Sequence, residues 1–234
     1  MNHDSALPPG QQERADFPRF GLTPFAYRFP KEPNLLRLRI GGLVTQERDL
    51  SAELAQLDRV EQVSDFHCVT TWSHRNLTWS GYRFKDFYSQ LVVPICQPEE
   101  PVAMAVMWGQ DSYRTSLPLS DLMADDVLLA DRLDGQPLSI THGAPLRIVA
   151  PAHYGYENVK HVNRIDFVVA GGEYNRAGYR FMDHPRARVA AEERGLGAPG
   201  WLLRYAYRPL IKPTVRRFRK AMATIAGDSG VGAN

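Results

Sequence analysis

From Asp65 to Gly81 the chain reads DFHCVTTWSHRNLTWSG, and the placement of one thiol in this stretch organises the reading of the rest. Residues Val60 to Thr70 have the pattern of extended chain. Side chains alternate across a strand, so Phe66 and Cys68 share one face while Val63, His67 and Val69 share the other. Cys68 is thereby expected beside a core strand and not on a mobile loop. A thiol held there can act as a metal ligand once it is deprotonated. The only other cysteine, Cys96, lies between Ile95 and Gln97 without comparable surroundings and reads as a small buried hydrophobe.

Working outward, Leu36, Leu38 and Ile40 alternate with Arg37 and Arg39 before Gly41-Gly42, the pattern of a half-buried strand. Ser51 can cap a short helix through Leu57, with Glu53 in the first turn, where its charge complements the helix dipole. Further strands are expected at Val102 to Trp108, Val127 to Ala130, Pro145 to Ala150 and Arg164 to Ala170, with short helices near Phe84 to Leu91 and Ser120 to Met123. This order is not the regular strand and helix alternation of a doubly wound sheet. It predicts an α+β fold of strand-dominated mixed sheets with short helices.

After Gly171-Gly172 the character changes. Trp201 to Ile211 and Val215 to Ile225 read as two helices broken by Lys212-Pro213. In the second, Val215, Phe218, Met222 and Ile225 recur at helical spacing opposite Arg216, Arg217, Arg219 and Lys220. The predicted organisation is a disordered arm over 1–19, a main domain over 20–172, a helical extension over 173–227 and a frayed tail over 228–234.

At 234 residues with 44% hydrophobic content, the chain can build one sizeable core. Its formal charge of +2 is too small to argue for a nucleic-acid partner, and none is expected, although basic residues crowd the C-terminal third. Two cysteines exclude a disulfide framework and suit a reducing compartment. Met1 to Phe20 contains Pro8-Pro9-Gly10 and mixed charges but no apolar run, so no export signal or membrane helix is read there and a cytoplasmic setting is expected. The basic C-terminal helix is read first as packing its apolar face on the main domain. A second reading makes it a docking element for a membrane surface, nucleic acid or redox partner.

A second segment belongs with the thiol stretch: from Thr141 to Val162 the chain reads THGAPLRIVAPAHYGYENVKHV, and between the two lies SYRTSLPL, from Ser112 to Leu119. In this order the segments resemble the sulfite oxidase superfamily of molybdopterin-dependent oxidoreductases, in its bacterial branch without haem or dimerisation domains. The resemblance implies that the Cys68 thiolate binds molybdenum and that His142, Arg147, Asn158, Val159 and Lys160 contact the pterin cofactor. Lys160 and Arg147 would meet its phosphate, and the backbone of residues 158–160 would form an amide-lined turn. A weaker analogy places Arg28 and Phe29 along the cofactor. Tyr113 and Arg114 would lie near the metal, the hydroxyl as a hydrogen-bond partner and the guanidinium as an attractor of anions. His67, His153 and His161 read individually as surface or satisfied histidines, and Trp72 and Trp79 as packing the core or walling the funnel to the metal.

The function so implied is two-electron oxygen-atom transfer on a small-molecule substrate, with a non-catalytic carrier or storage protein for the cofactor as the alternative. The implied cofactor is molybdenum-molybdopterin, in a plain or nucleotide form, and no haem. Because the resemblance covers the cofactor domain alone, it implies a separate redox partner protein. Val69-Thr70-Thr71-Trp72-Ser73 departs from the Ala-Gly-Asn-Arg-Arg that follows the cysteine in true sulfite oxidases. The arginine-rich anion site is absent with it, so sulfite is not the expected substrate.

Overall fold

The thiol stretch folds as part of a long hairpin at the centre of one of two sheets. A computed structural model describes residues 6–171, 177–178 and 184–228. Its strands are β1 (Gln12–Glu13), β2 (Arg39–Gly42), β3 (Arg48–Asp49), β4 (Val60–His67), β5 (Trp72–Arg83), β6 (Met104–Gly109), β7 (Arg114–Pro118), β8 (Leu128–Leu133), β9 (Gln136–Pro137), β10 (Arg147–Val149) and β11 (Val162–Val168). The helices are α1 (Phe84–Phe87), α2 (Leu119–Leu122), α3 (Gly200–Tyr207) and α4 (Ile211–Asp228).

In the first sheet β5 pairs antiparallel with β4, from Val60 opposite Gly81 to His67 opposite Ser73. On its other side β5 pairs with β8, which continues to β10. β1 joins β5 in parallel at Trp72 and Ser73, and β9 closes on β8. The second sheet runs β3-β2-β11-β6-β7, with β11 parallel to β2 and antiparallel to β6. Tyr82, Leu129 and Ile148 of the first sheet meet Ile40, Met107, Ile165 and Phe167 of the second in the main core, completed by Phe84 and Phe87 of α1. Each such fully buried side chain contributes roughly 1.5–3 kcal/mol. On the opposite face of the first sheet, Leu77, Trp79, Leu128, Ala130 and Val149 pack with Phe17 and Phe66. That second cluster forms the floor beneath the site described below.

The fold is the strand-dominated α+β arrangement with short helices that the sequence predicts. Three local differences have physical causes. The helix expected from Ser51 is a single 3-10 turn at Glu53–Gln56, because the Ser51 hydroxyl oxygen instead accepts the Leu38 amide at 2.9 Å. The helix begun at Phe84 runs on as a π-helical segment, Tyr88–Cys96, that ends at Gln97 with φ +53°. The break between the C-terminal helices falls at Arg208–Leu210, not at Lys212-Pro213. Pro213 sits in the first turn of α4, where a missing N–H costs nothing.

The N-terminal arm departs furthest from expectation. Residues 6–19, expected to be disordered, are held by β1 and by side chains. Arg19, buried, donates to the carbonyls of Ala26 at 2.5 Å and Arg28 at 2.6 Å. Phe17 stacks on His142 at 4.7 Å, and Phe20 meets Trp72 edge-on at 5.5 Å. These buried contacts outweigh a composition that, taken alone, reads as disordered. The expected domain boundary at Gly172 and the tail after Asp228 lie outside the described residues. Among the described residues, no helix is long and apolar enough to cross a membrane.

Candidate active site

β4 ends at His67, and the chain reverses at once. The Cys68 amide donates to the Trp72 carbonyl at 2.8 Å, the Thr71 amide donates to the Cys68 carbonyl at 3.1 Å, and Thr71 takes φ +79°. This turn is braced from both ends of the chain. Gln11 Nε2 donates to the Cys68 carbonyl at 3.1 Å. Arg194, wholly buried, donates to the carbonyls of Val69 at 2.7 Å and Pro9 at 2.9 Å while its guanidinium lies over the Tyr154 ring. Buried carbonyls demand such donors, so the turn that presents the thiol is rigid. Cys68 Sγ lies 3.1 Å from Thr70 Oγ1. Burial pushes the thiol pKa up, opposed by the Thr70 hydrogen bond and by the charges of Arg194 and Lys160.

Cys68 faces a cavity of ≈180 Å³ whose wall is shared by Phe66, Asp111, Tyr113, Asn158, Lys160 and His161. Residues 19–23 and Phe25 of the N-terminal segment close one side, and Leu210, Thr214 and Phe218 close another. The Tyr113 hydroxyl donates to the Tyr156 carbonyl at 2.7 Å, which fixes that ring against the wall.

One wall of this cavity is cationic. Lys160 Nζ donates to the Thr141 carbonyl at 2.9 Å, and Arg147 Nη1 donates to the His142 carbonyl at 2.9 Å. The Arg147 guanidinium stacks over Trp79 at 4.8 Å. The pKa of Lys160 is depressed first by burial and then by Arg147 and Arg19, and raised by Asp111 and Cys68. Gly143, at φ +112°, lets the 141–144 loop lie against Lys160, where a Cβ would come within 3.2 Å of the lysine's own Cβ. Arg19 and Lys160 therefore face one carboxylate, Asp111, and Arg147 stands beside the lysine. Beside them, Arg147 Nη2, His142 Nδ1 and His161 Nε2 are buried with no hydrogen-bond partner among the described residues. Unsatisfied buried polar atoms are costly; Arg147 Nη2 is an open donor, whereas His161, whose Nδ1 donates to the Ala144 carbonyl at 2.7 Å, leaves Nε2 as an open acceptor, and together they mark the place of a polar group.

Burial, reinforced by neighbouring cations, pushes both His142 and His161 down to about 3 from an ordinary 6.5. Their folded values lie below their unfolded ones, so the unfolded chain binds more protons between these limits. Stability is then full above about pH 6.5 and declines as the pH falls towards about 3. Urea unfolding of the cofactor-free chain should show its midpoint dropping between about pH 6.5 and about pH 5, and His161→Gln should flatten that slope. A slope that is unchanged in the variant rules out the histidine contribution.

Of the residues singled out in the sequence, Cys68, Tyr113, Asn158 and Lys160 meet on the cavity wall. His142 and Arg147 stand beside Lys160, coupled to it by charge. The others sit elsewhere. The Asn158 side chain reaches the wall but is engaged by its own loop: Oδ1 accepts the Ala150 amide at 2.7 Å, and Nδ2 points to the carbonyls of Ala150, His153 and Tyr154. Val159 is a core side chain. Its amide and that of Asn158 donate to Glu157 and Gly155, so the two are not open donors of an anion turn. Arg114 lies over the Trp108 ring at 4.8 Å, Arg28 over Phe25 at 4.5 Å, and Phe29 packs with Phe218; none of the three lines the cavity. Arg19 and Asp111 do not stand out in the sequence, and His161, which reads there as a surface or satisfied histidine, lines the cavity. The signal for His161 was its place next to Lys160.

The family described as oxidoreductase molybdopterin binding domain matches residues 26–171. A protein of Bacillus subtilis (strain 168), named uncharacterized oxidoreductase YuiH, is 32% identical over 184 residues, covering 76% of this chain and 88% of that protein. The protein-methionine-sulfoxide reductase catalytic subunit MsrP of Xanthomonas axonopodis pv. citri (strain 306) is 28% identical over 203 residues, covering 75% of this chain and 61% of MsrP. Among solved structures, the sulfane dehydrogenase SoxCD from Paracoccus pantotrophus has the same type of fold, with a TM-score of 0.51 at 22% identity over 60% of this chain and 40% of that one.

Proposed function

The chain belongs to the oxidoreductase molybdopterin binding domain family, within the sulfite oxidase superfamily, and on that premise we propose that Cys68 is the protein thiolate of a molybdenum-molybdopterin site that catalyses oxygen-atom transfer on a small substrate. The observation that carries this reading is the excess of buried cations and unpartnered polar atoms beside a cavity that also holds a thiol. Lys160, Arg147 and Arg19 would hold the cofactor's phosphate, as point charge and forks of donors. His142 and His161, neutral at pH 7, would offer ring nitrogens to the pterin edge. Cys68 is a soft ligand suited to the metal, and coordination favours its deprotonated form despite burial. When bound, the cofactor supplies the two-electron chemistry, and the protein supplies position and electrostatics.

The chain's own residues do the rest. Arg194 and Gln11 fix the turn that aims Cys68. Tyr113, anchored on Tyr156, and Phe66 shape the apolar side of the cavity and limit the size of what enters. A separate redox partner protein would exchange electrons with the cofactor.

Protein purified from a host able to make the cofactor should carry molybdenum and pterin at near one per chain. With a reduced dye as electron donor it should turn over small S-oxides or N-oxides. S-oxides come first because MsrP is by name a methionine-sulfoxide reductase. Bound cofactor without turnover of any such compound would favour the carrier reading. Neither metal nor pterin on a well-folded chain from such a host would remove the cofactor assignment.

A further inference from the structure

From Gly195 to Gly227 the sequence contains seven lysines and arginines and no aspartate or glutamate. Four of the seven are engaged: Arg204 with Glu192, Arg208 with the Thr71 hydroxyl, Arg217 with the Thr23 carbonyl, and Arg219 with Asp16. Lys212, Arg216 and Lys220 are exposed and make no ion pair among the described residues. Spaced four apart along α4, they form one stripe. The inner face of the same helix is already occupied, since Phe218 and Ala221 pack with Ala26 and Phe29.

In the helix that precedes α4 the chain exposes bulky apolar side chains. Trp201 is 57% exposed, Leu202 49% and Tyr205 63%, all on α3, and Leu210 in the following turn is 44% exposed. Single exposed hydrophobes are ordinary, but several on one short element, beside unpaired cations, mark an interaction surface. We propose that the α3–α4 segment docks on an anionic lipid bilayer, with Trp201, Leu202 and Tyr205 entering the headgroup layer and Lys212, Arg216 and Lys220 meeting lipid phosphates. Charge chooses the sign of the partner, because an acid-free segment has nothing to offer a cationic or neutral one. Shape favours a membrane over a folded acidic protein. At such exposures the tryptophan and tyrosine rings project from the surface, and a bilayer accepts projecting amphipathic rings without a matching pocket. Leu210 also lines the cavity that holds Cys68, so the docked bilayer would lie close to the cavity wall.

The full chain with its cofactor bound is mixed with vesicles of phosphatidylcholine alone or of equal parts phosphatidylcholine and phosphatidylglycerol, and the pelleted fraction is measured. Affinity should be at least about tenfold higher for the anionic vesicles and should fall as salt is added. The double variant Trp201→Ser with Tyr205→Ser, and the triple variant K212E/R216E/K220E, should each lose most of the binding while keeping wild-type molybdenum content. Equal or absent pelleting on the two vesicle types at low salt overturns the proposal. So does retention on duplex nucleic acid or on an acidic protein in place of vesicles.

Discussion

Cys68→Ser protein from a cofactor-making host is expected to fold normally and to lose most of its molybdenum, with oxygen-atom transfer falling by about a hundredfold or more. Serine keeps the volume and can keep the 3.1 Å contact with Thr70 Oγ1. The turn itself is held by backbone bonds and by Gln11 and Arg194, none of which needs the sulfur. What the hydroxyl cannot do is replace a soft, anionic donor, since an alcohol holds its proton far more tightly than a thiol. No second thiol can substitute, because Cys96 is fully buried in the main core. The cationic wall is untouched, so pterin should be retained better than metal. That split between metal and pterin content is the informative readout, and full molybdenum loading of the serine variant would sink the ligand assignment.

How much of this site was legible in the sequence depends on the range of the contact that builds each part. Strand alternation puts Phe66 and Cys68 on one face and both do line the cavity, but the strand expected to run to Thr70 ends at His67, and Cys68 is presented by the turn that follows. Lys160, Arg147 and His142 stand in one segment, and the loops that join them are short. β5 does not stand out in the sequence because Ser73-His74-Arg75-Asn76 breaks the apolar alternation that marks a strand, while its pairing with both β4 and β8 supplies the order instead. Arg19 and Arg194 were invisible for a different reason. Each is fixed by carbonyls that only the folded chain brings near, Arg194 reaching Val69 from 125 positions away. Asn158 shows the converse. Its position in the segment is compatible with ligand binding, but only the structure reveals that the side chain is already engaged by its own loop.

The second large effect concerns Lys160, and its sign should reverse with the cofactor. In the cofactor-free chain this ammonium is enclosed near Arg147 and Arg19 with only Asp111 in partial compensation, and burial depresses its pKa. A buried charge without adequate pairing is destabilising, and its replacement by an apolar side chain of similar length is often neutral or stabilising by roughly 1–4 kcal/mol. Lys160→Met should therefore leave the cofactor-free chain at least as stable as wild type, despite losing the bond to the Thr141 carbonyl. The pH dependence gives an independent check. Because the folded pKa lies below the unfolded value of 10.5, the penalty is full below the folded pKa and is relieved as the pH rises towards 10.5. Wild-type stability should accordingly climb through that window, and the methionine variant should climb less. With cofactor present the same ammonium meets a phosphate, and a charge-assisted contact of this kind contributes about 1.5–3 kcal/mol. Cofactor retention on Lys160→Met should then fall by about a hundredfold. Urea unfolding of the cofactor-free form, set beside pterin and molybdenum content of the protein as purified, reads both signs. A variant that is less stable when empty yet fully loaded when purified would show that Lys160 holds the fold and not the cofactor.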